Sequence, residues 1–359
     1  MDDSVVLRRG LTAALSRDPD VTVAGSASNG RIALMKIPLL RPDVVALDID
    51  MPGADGLGSL AAIRQAHPQL AVIVLNVPTA EGAAATVEAL SLGAKDYVTK
   101  PAASDRSDDG MKMLAFELAA KIAPTSQQRR REEGGARSAA SMPSVAPAER
   151  GGASASPHRI DVIAIGVSTG GPSALTELLP SFDGDFPVPI LIVQHMPASF
   201  TKLLAARLAS RCRIRVAEAV AGQVLSPGCA WIAPGDFHLA VERDGDAVRM
   251  RLHRDAAENS CRPAADVLFR SVADVYGPHA LVVVMTGMGR DGLNGCEEVY
   301  RQGGQVLVQD KASSVVWGMP GSIVRAGIAD RIVPLGAMGA AITERVRHHR
   351  QTALAEEPG

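Results

Sequence analysis

Short apolar runs recur along this chain, each followed by an alanine- and leucine-rich segment with helical spacing. The alternation stops once, between residues 124 and 158, and then begins again. Apolar runs alternating with amphipathic helices point to parallel strands covered by helices, so the fold class is α/β, twice over. In the first half the strand candidates are Val21–Ala24, Val44–Leu47, Val72–Leu75 and Tyr97–Thr99, with a helix predicted from Val5 to Arg17. In the second half the clearest strands are Ile160–Ile165, Ile190–Val193, Leu281–Met285 and Gln305–Val308. Between the halves, Pro124 to His158 is rich in Ser, Ala, Gly, Pro and Arg and has no apolar period, which reads as a flexible linker. The expected domains are therefore 1–123 and 159–349, joined by a linker over 124–158. A tail over 350–359 follows, its end from Ala353 to Gly359 expected to be disordered.

Composition narrows the class. The net charge is −2, and the only arginine triplet, Arg129-Arg130-Arg131, is followed at once by Glu132-Glu133, so no nucleic-acid patch is expected. Cys212, Cys229, Cys261 and Cys296 show neither CxxC nor zinc-ligand spacing and read as reduced thiols of a cytoplasmic protein. The start, Met1-Asp2-Asp3-Ser4, is acidic where a signal peptide is basic. No apolar run approaches the roughly 20 residues of a membrane span, so membrane insertion is not expected.

Chemistry gathers at three strand ends. Gly166-Val167-Ser168-Thr169-Gly170-Gly171-Pro172 follows one apolar strand and precedes a helix. A serine on such a bend exposes its hydroxyl, and helix N-terminal N–H groups face the reacting oxygen. The same glycines also suit a phosphate-binding or purely structural turn. A dinucleotide loop would want GxGxxG, and Ser168 stands in the middle glycine's place. Gln194-His195-Met196-Pro197 follows a second strand and Gly287-Met288-Gly289-Arg290-Asp291-Gly292 a third. In an open parallel sheet functional groups collect beyond the strands' carboxyl ends, which would place Ser168, His195 and Asp291 on one rim. A hydroxyl needs a base, and an imidazole needs a carboxylate to fix its tautomer. Asp291 could instead simply cap the helix that follows it. His238 is a rival base in a segment reading as a hairpin turn, His253 reads as surface, and His279 as structural. A response regulator whose output domain only binds a partner is the competing class.

Residues 160 to about 335 resemble the catalytic domain of the chemotaxis protein-glutamate methylesterases. The matching runs are Ile165–Gly171, Gln194-His195-Met196, Ile232–Gly235, Asp266–Ser271, Thr286–Gly292 and Gly318–Gly321. The resemblance implies a doubly wound α/β domain that hydrolyses γ-glutamyl methyl esters on chemoreceptor cytoplasmic domains and also deamidates glutamine. It implies Ser168 as nucleophile, His195 as base and then acid, and Asp291 as orienting carboxylate. The Met288 N–H, with Thr169, would form the oxyanion hole, and no cofactor is needed at the ester site. Ala264 stands where the family usually has serine.

The first half resembles a flavodoxin-like response-regulator receiver domain. The features that carry this are Asp2-Asp3-Ser4, Leu47-Asp48-Ile49-Asp50-Met51-Pro52-Gly53-Ala54-Asp55-Gly56 and Gly93–Pro101. It implies phosphorylation of Asp48 by a histidine kinase. It also implies magnesium held by Asp3, Asp48 and the Asp50 carbonyl, with Lys100 contacting the phosphoryl group. Asn76 replaces the family's serine or threonine. The resemblance further implies that the unphosphorylated receiver covers the catalytic rim. Only Met1 precedes the acidic pair, so the first strand, interior in the order 2-1-3-4-5, is truncated. The expectation drawn from this is a misassigned start codon and a protein extending upstream by about one strand.

Overall fold

A computed structural model describes residues 1–51, 56–77, 79–101, 108–135 and 158–355. The chain divides into two compact units, one ending and the other beginning within the stretch 136–157, which lies outside the described residues, as do Pro52–Asp55 of the acidic motif.

The first unit runs α1 (Val5–Leu15), α2 (Gly30–Leu40), β1 (Val44–Asp48), α3 (Gly56–Ala66), β2 (Ala71–Asn76), α4 (Ala80–Ser91), β3 (Asp96–Thr99) and α5 (Asp108–Gly135). The strands are parallel in the order β1-β2-β3, and the central β2 is buried along its whole length. Leu7 and Leu15 of α1 meet Ile73, Leu75, Val98, Leu114 and Leu118 in one core. Ser4 caps α1 by accepting from the Leu7 N–H.

Two expectations fail here. Val21–Ala24 is not a strand. A strand exists only through a ladder, and among the described residues the β1 edge is paired on this side by Met1: its amino group donates to the Ala46 carbonyl at 2.6 Å and its carbonyl accepts from Asp48 at 2.9 Å. Between Val21–Val23 and β1 lies a groove of about 360 Å³ lined by Leu7, Leu11, Ile37, Val44 and Ala46. Second, α5 continues through Pro124 to Gly135, so helix and not linker opens at residue 124. Gln127 to Glu133 is almost all straight-chain residues of high helix propensity, and that outweighs the missing apolar period.

The second unit runs β4 (Val162–Val167), α6 (Gly171–Leu178), β5 (Ile190–Gln194), α7 (Ala198–Ala209), β6 (Arg215–Glu218), β7 (Cys229–Ile232), β8 (His238–Asp244), β9 (Ala247–His253), α8 (Ala265–Tyr276), β10 (Ala280–Val284), α9 (Leu293–Arg301), β11 (Gln305–Gln309), α10 (Met319–Arg325), β12 (Arg331–Val333) and α11 (Leu335–Ala355). Seven parallel strands follow the order β12-β11-β10-β4-β5-β7-β6, and β8–β9 is a separate antiparallel hairpin. Strands β4, β5 and β10 are buried throughout, as the interior of a sheet covered on both faces requires. The unit's first strand, β4, lies between β5 and β10. Winding therefore reverses there, and a crevice opens beyond the carboxyl ends of these three strands. The expected tail is helix as far as Ala355, since Arg, Gln, Ala and Leu there favour it. Residues 356–359 lie outside the described residues. No described helix is long and apolar enough to cross a membrane.

At the crevice, main chain packs on main chain. A Cβ built on Gly235, just past β7, would lie 2.2 Å from the Ala198 nitrogen and 2.5 Å from the Pro197 carbonyl carbon. By contrast a Cβ on Gly245 in the β8–β9 turn, at φ 60°, would meet nothing within 4 Å. Gly235→Ala should therefore cost about 1–3 kcal/mol from overpacking, at least as much as the ~1–2 kcal/mol strain of Gly245→Ala. Thermal unfolding of the two variants checks this: a Gly235→Ala midpoint at the parent's value would refute the close packing.

Candidate active site

Ser168 follows β4 directly. The β4–β10 pairing continues past the strand ends, with Met285 donating to Gly166 at 3.0 Å and Ser168 to Thr286 at 3.0 Å. On the other side Val167 is in register with Gln194, and His195 donates to the Val167 carbonyl at 3.1 Å. Ser168 and His195 thus leave neighbouring strands side by side. Gly170, at φ 76°, turns the chain into α6. A Cβ on Gly171 would fall 2.0 Å from Gln194 Oε1, and Gln194 Nε2 donates to the Ser168 carbonyl at 3.1 Å, so the bend is held from the β5 side.

His195 and Asp291 meet. Nε2 of the ring lies 2.7 Å from Asp291 Oδ2, and Asp291 is buried. The same carboxylate accepts from the N–H groups of Ala265 at 2.6 Å, Asp266 at 3.1 Å and Gly292 at 2.9 Å, and from Asn259 Nδ2 at 3.0 Å. It therefore caps α8 across space, where Ala264 occupies the N-cap with no side-chain acceptor. The missing serine at 264 bears on that cap. Burial works against the Asp291 charge, but His195 and the α8 amides outweigh it and hold the carboxyl below its usual range. Burial likewise opposes charge on His195, yet the Asp291 bond and the Cys261 sulfur raise it to about 9. Nδ1 is the ring nitrogen that does not face Asp291; it lies 3.6 Å from Cys261 Sγ. Among the described residues no hydrogen bond joins the Ser168 hydroxyl to His195, a contact that often tightens only with substrate in place.

The rival histidines are elsewhere engaged. His238 is not in a turn: it opens β8, fully buried, with Nδ1 accepting from Ala264 at 3.2 Å and Nε2 donating to Ala256 at 3.1 Å. His253 is not on the open surface; its side chain is 16% exposed, against the His238 ring. His279 donates from Nδ1 to the Arg159 carbonyl. Met288 projects, half exposed, from a loop whose Gly287 is clamped by Val316, Gly318 and Met319. Neither the Met288 nor the Thr169 N–H donates elsewhere among the described residues. Gly287 sits against Ser168, a Cβ there falling 2.9 Å from the serine Cβ. Asn259 and Cys261 escaped the sequence reading; the only signal was a polar Asn-Ser pair between β9 and α8.

In the first unit Lys100 Nζ lies 2.6 Å from Asp48 Oδ1 and 3.9 Å from Asp50 Oδ2. Asp2, Asp3 and Asp48 bring carboxylate oxygens within 4.8 Å of one another. Asp2, not singled out as a ligand from the sequence, has a buried Oδ2 with no hydrogen-bond partner among the described residues. Burial, then the neighbouring Asp48, raise the Asp2 carboxyl to about 6. Such a set fits a hard divalent cation. The Asp50 carboxylate turns away to accept from the Val77 N–H at 2.7 Å, and Asn76 is buried with its own Nδ2 donating to the Val77 carbonyl.

Comparison with known proteins agrees with both units. Residues 163–342 match the CheB methylesterase family and residues 1–109 the response regulator receiver domain. A protein-glutamate methylesterase/protein-glutamine glutaminase of Trichodesmium erythraeum is 46% identical over 96% of this chain and 97% of its own length. One from Nocardioides is 44% identical over 99% and 96%. The crystal structure of the Thermotoga maritima CheB methylesterase catalytic domain, 40% identical, covers 52% of this chain and 98% of its own, with a TM-score of 0.51. With a receiver before it and the reversed-winding crevice at the ends of β4, β5 and β10, the chain belongs to the CheB methylesterase family.

Proposed function

We propose that this protein is a receiver-controlled serine hydrolase that removes methyl esters from glutamates of chemoreceptor cytoplasmic domains and deamidates glutamines there. The observation that carries it is the buried His195–Asp291 pair at 2.7 Å, one strand position from Ser168. Ser168 Oγ attacks the ester carbonyl while its proton passes to His195. The oxyanion is met by the Met288 N–H, with Thr169 beside it; such a donor is worth on the order of 3 kcal/mol. His195 returns the proton to the departing methoxide, so methanol leaves and an acyl-serine remains. Water, deprotonated by the same imidazole, then releases the glutamate carboxylate and restores Ser168. With glutamine, ammonia leaves in place of methanol.

In the receiver Asp48 is the phosphoacceptor, with Lys100 as the phosphoryl contact and a histidine kinase as donor. Asp2, Asp3 and Asp48, with the Asp50 carbonyl, would hold magnesium; when bound it would neutralise charge on the incoming phosphoryl group. Lys100 now balances the Asp48 charge and would swing its contact to the phosphoryl oxygens.

Methanol release from methylated receptor tests the esterase reading. Ser168→Ala should abolish release with the fold intact, and activity within a few-fold of the parent would sink the serine mechanism. His195→Ala should lose nearly as much, because such groups act as a unit, and Asp291→Asn somewhat less. His238→Ala should cost stability, and if it instead removes catalysis alone the base is misassigned.

The pH profile follows from the raised His195. Only the neutral ring accepts a proton, so kcat/KM should climb from neutral pH and level near 9. Cys261→Ala removes one cause of the elevation and should move the rising limb to lower pH. A flat profile from pH 6 to 9 contradicts the assignment.

If the unphosphorylated receiver restrains the esterase, a fragment beginning near His158 should demethylate faster than the full chain. Equal rates under matched conditions would remove the receiver's role as a lid.

A further inference from the structure

The turn Glu258–Cys261 straddles the His195–Asp291 pair. Its ends close on each other, Glu258 donating to the Cys261 carbonyl at 3.1 Å and Cys261 back to Glu258 at 2.8 Å. Both corners are left-handed, Asn259 at φ 52° and Ser260 at φ 62°, a double that asparagine or glycine accepts best at the first corner. From outside, Arg270 holds Glu258 at 2.6 Å. From inside, Cys261 Sγ reaches His195 Nδ1. Asn259 Nδ2 donates both to Asp291 Oδ1 at 3.0 Å and to Asp266 Oδ2 at 2.9 Å.

Asp266 is fully buried on the first turn of α8, its other oxygen accepting from Gly295 at 2.7 Å. Burial first, and the Asp291 charge after it, push its carboxyl up, while the Gly295 and Asn259 bonds oppose this. An amide carries two hydrogens, and here each is directed to one carboxylate. Without them two buried carboxylates would have to share a proton or draw apart. Either response turns the Asp291 carboxylate away from the plane in which Oδ2 accepts from His195.

We infer that Asn259 is a positioning residue of the esterase, its amide bridging Asp291 and Asp266 so that Asp291 keeps His195 aimed at the serine. The inference rests on the Ser168–His195–Asp291 reading. The Asn259 amide bonds Asp291 and Asp266, and so acts through Asp291.

The test uses the full-length protein and methanol release from methylated receptor. Asn259→Gly keeps the left-handed corner and removes the amide. Its kcat should fall about tenfold or more with KM within about twofold, the mark of lost orientation and not of lost binding. Asn259→Asp keeps the size but adds a third carboxylate, and its kcat should fall further; it carries the same criterion if the glycine variant unfolds early. On an Asp291→Asn background the additional loss from Asn259→Gly should shrink to about twofold or less, because a residue acting through a partner loses its effect with that partner. A kcat near the parent's for both Asn259 variants overturns the inference. So does the same fractional loss on either background, while leaving the catalytic reading standing. Asp291→Asn alone at the parental rate overturns the catalytic reading and this inference together.

Discussion

A single buried negative charge ties the catalytic unit together. Removing a carboxylate from water costs several kcal/mol unless donors surround it. Asp291 finds them on three separate segments: its own loop beyond β10, the first turn of α8, and the Asn259 corner, with His195 completing the shell. None of these segments can shift without leaving the charge short of a donor. The histidine is therefore aimed by the requirement that folds α8 onto the sheet. The helix start contributes its partial positive charge as well as its N–H groups.

The receiver uses the opposite economy. Its acidic cluster is less fully compensated: Asp48 has Lys100, but Asp2 keeps a buried oxygen without a donor among the described residues. Both oxygens of the buried Asp291 carboxylate meet donors, whereas one oxygen of Asp2 meets none among the described residues. The two units thus differ in how completely their carboxylates are met.

Much of this was legible in the sequence because parallel sheets expose chemistry at strand ends. Ser168, His195 and Asp291 each follow an apolar run, and the topology that gathers them obeys a general rule. What escaped depends on contacts distant in sequence. Asn259 carries no period and no motif, and only the fold brings it to Asp291, Cys261 likewise to His195. His238 looked like a turn residue because glycine and aspartate precede it, yet it is a buried strand residue whose two nitrogens brace the Ala256–Ala264 stretch. Val21–Ala24 has strand composition, but strands are made by partners, and along β1 the partner on that side among the described residues is Met1. Residues 124–135 erred the other way: without a periodic face, propensity alone carries the helix on.

The glycines of the crevice have an evolutionary corollary. Gly235 rests on the main chain of Pro197 and Ala198, whereas Gly287 meets the Met319 and Ser168 side chains and Gly171 the Gln194 amide, so the loops that carry the site approach closely at all three. At Gly235 a larger residue must displace main chain, while at Gly171 and Gly287 a flexible side chain must give way. Met288 and Arg290, in the loop beyond β10, are exposed, so their side chains can change without disturbing that packing. Tolerance to change is thus divided within single loops, closed at the packed glycines and open at the exposed side chains beside them.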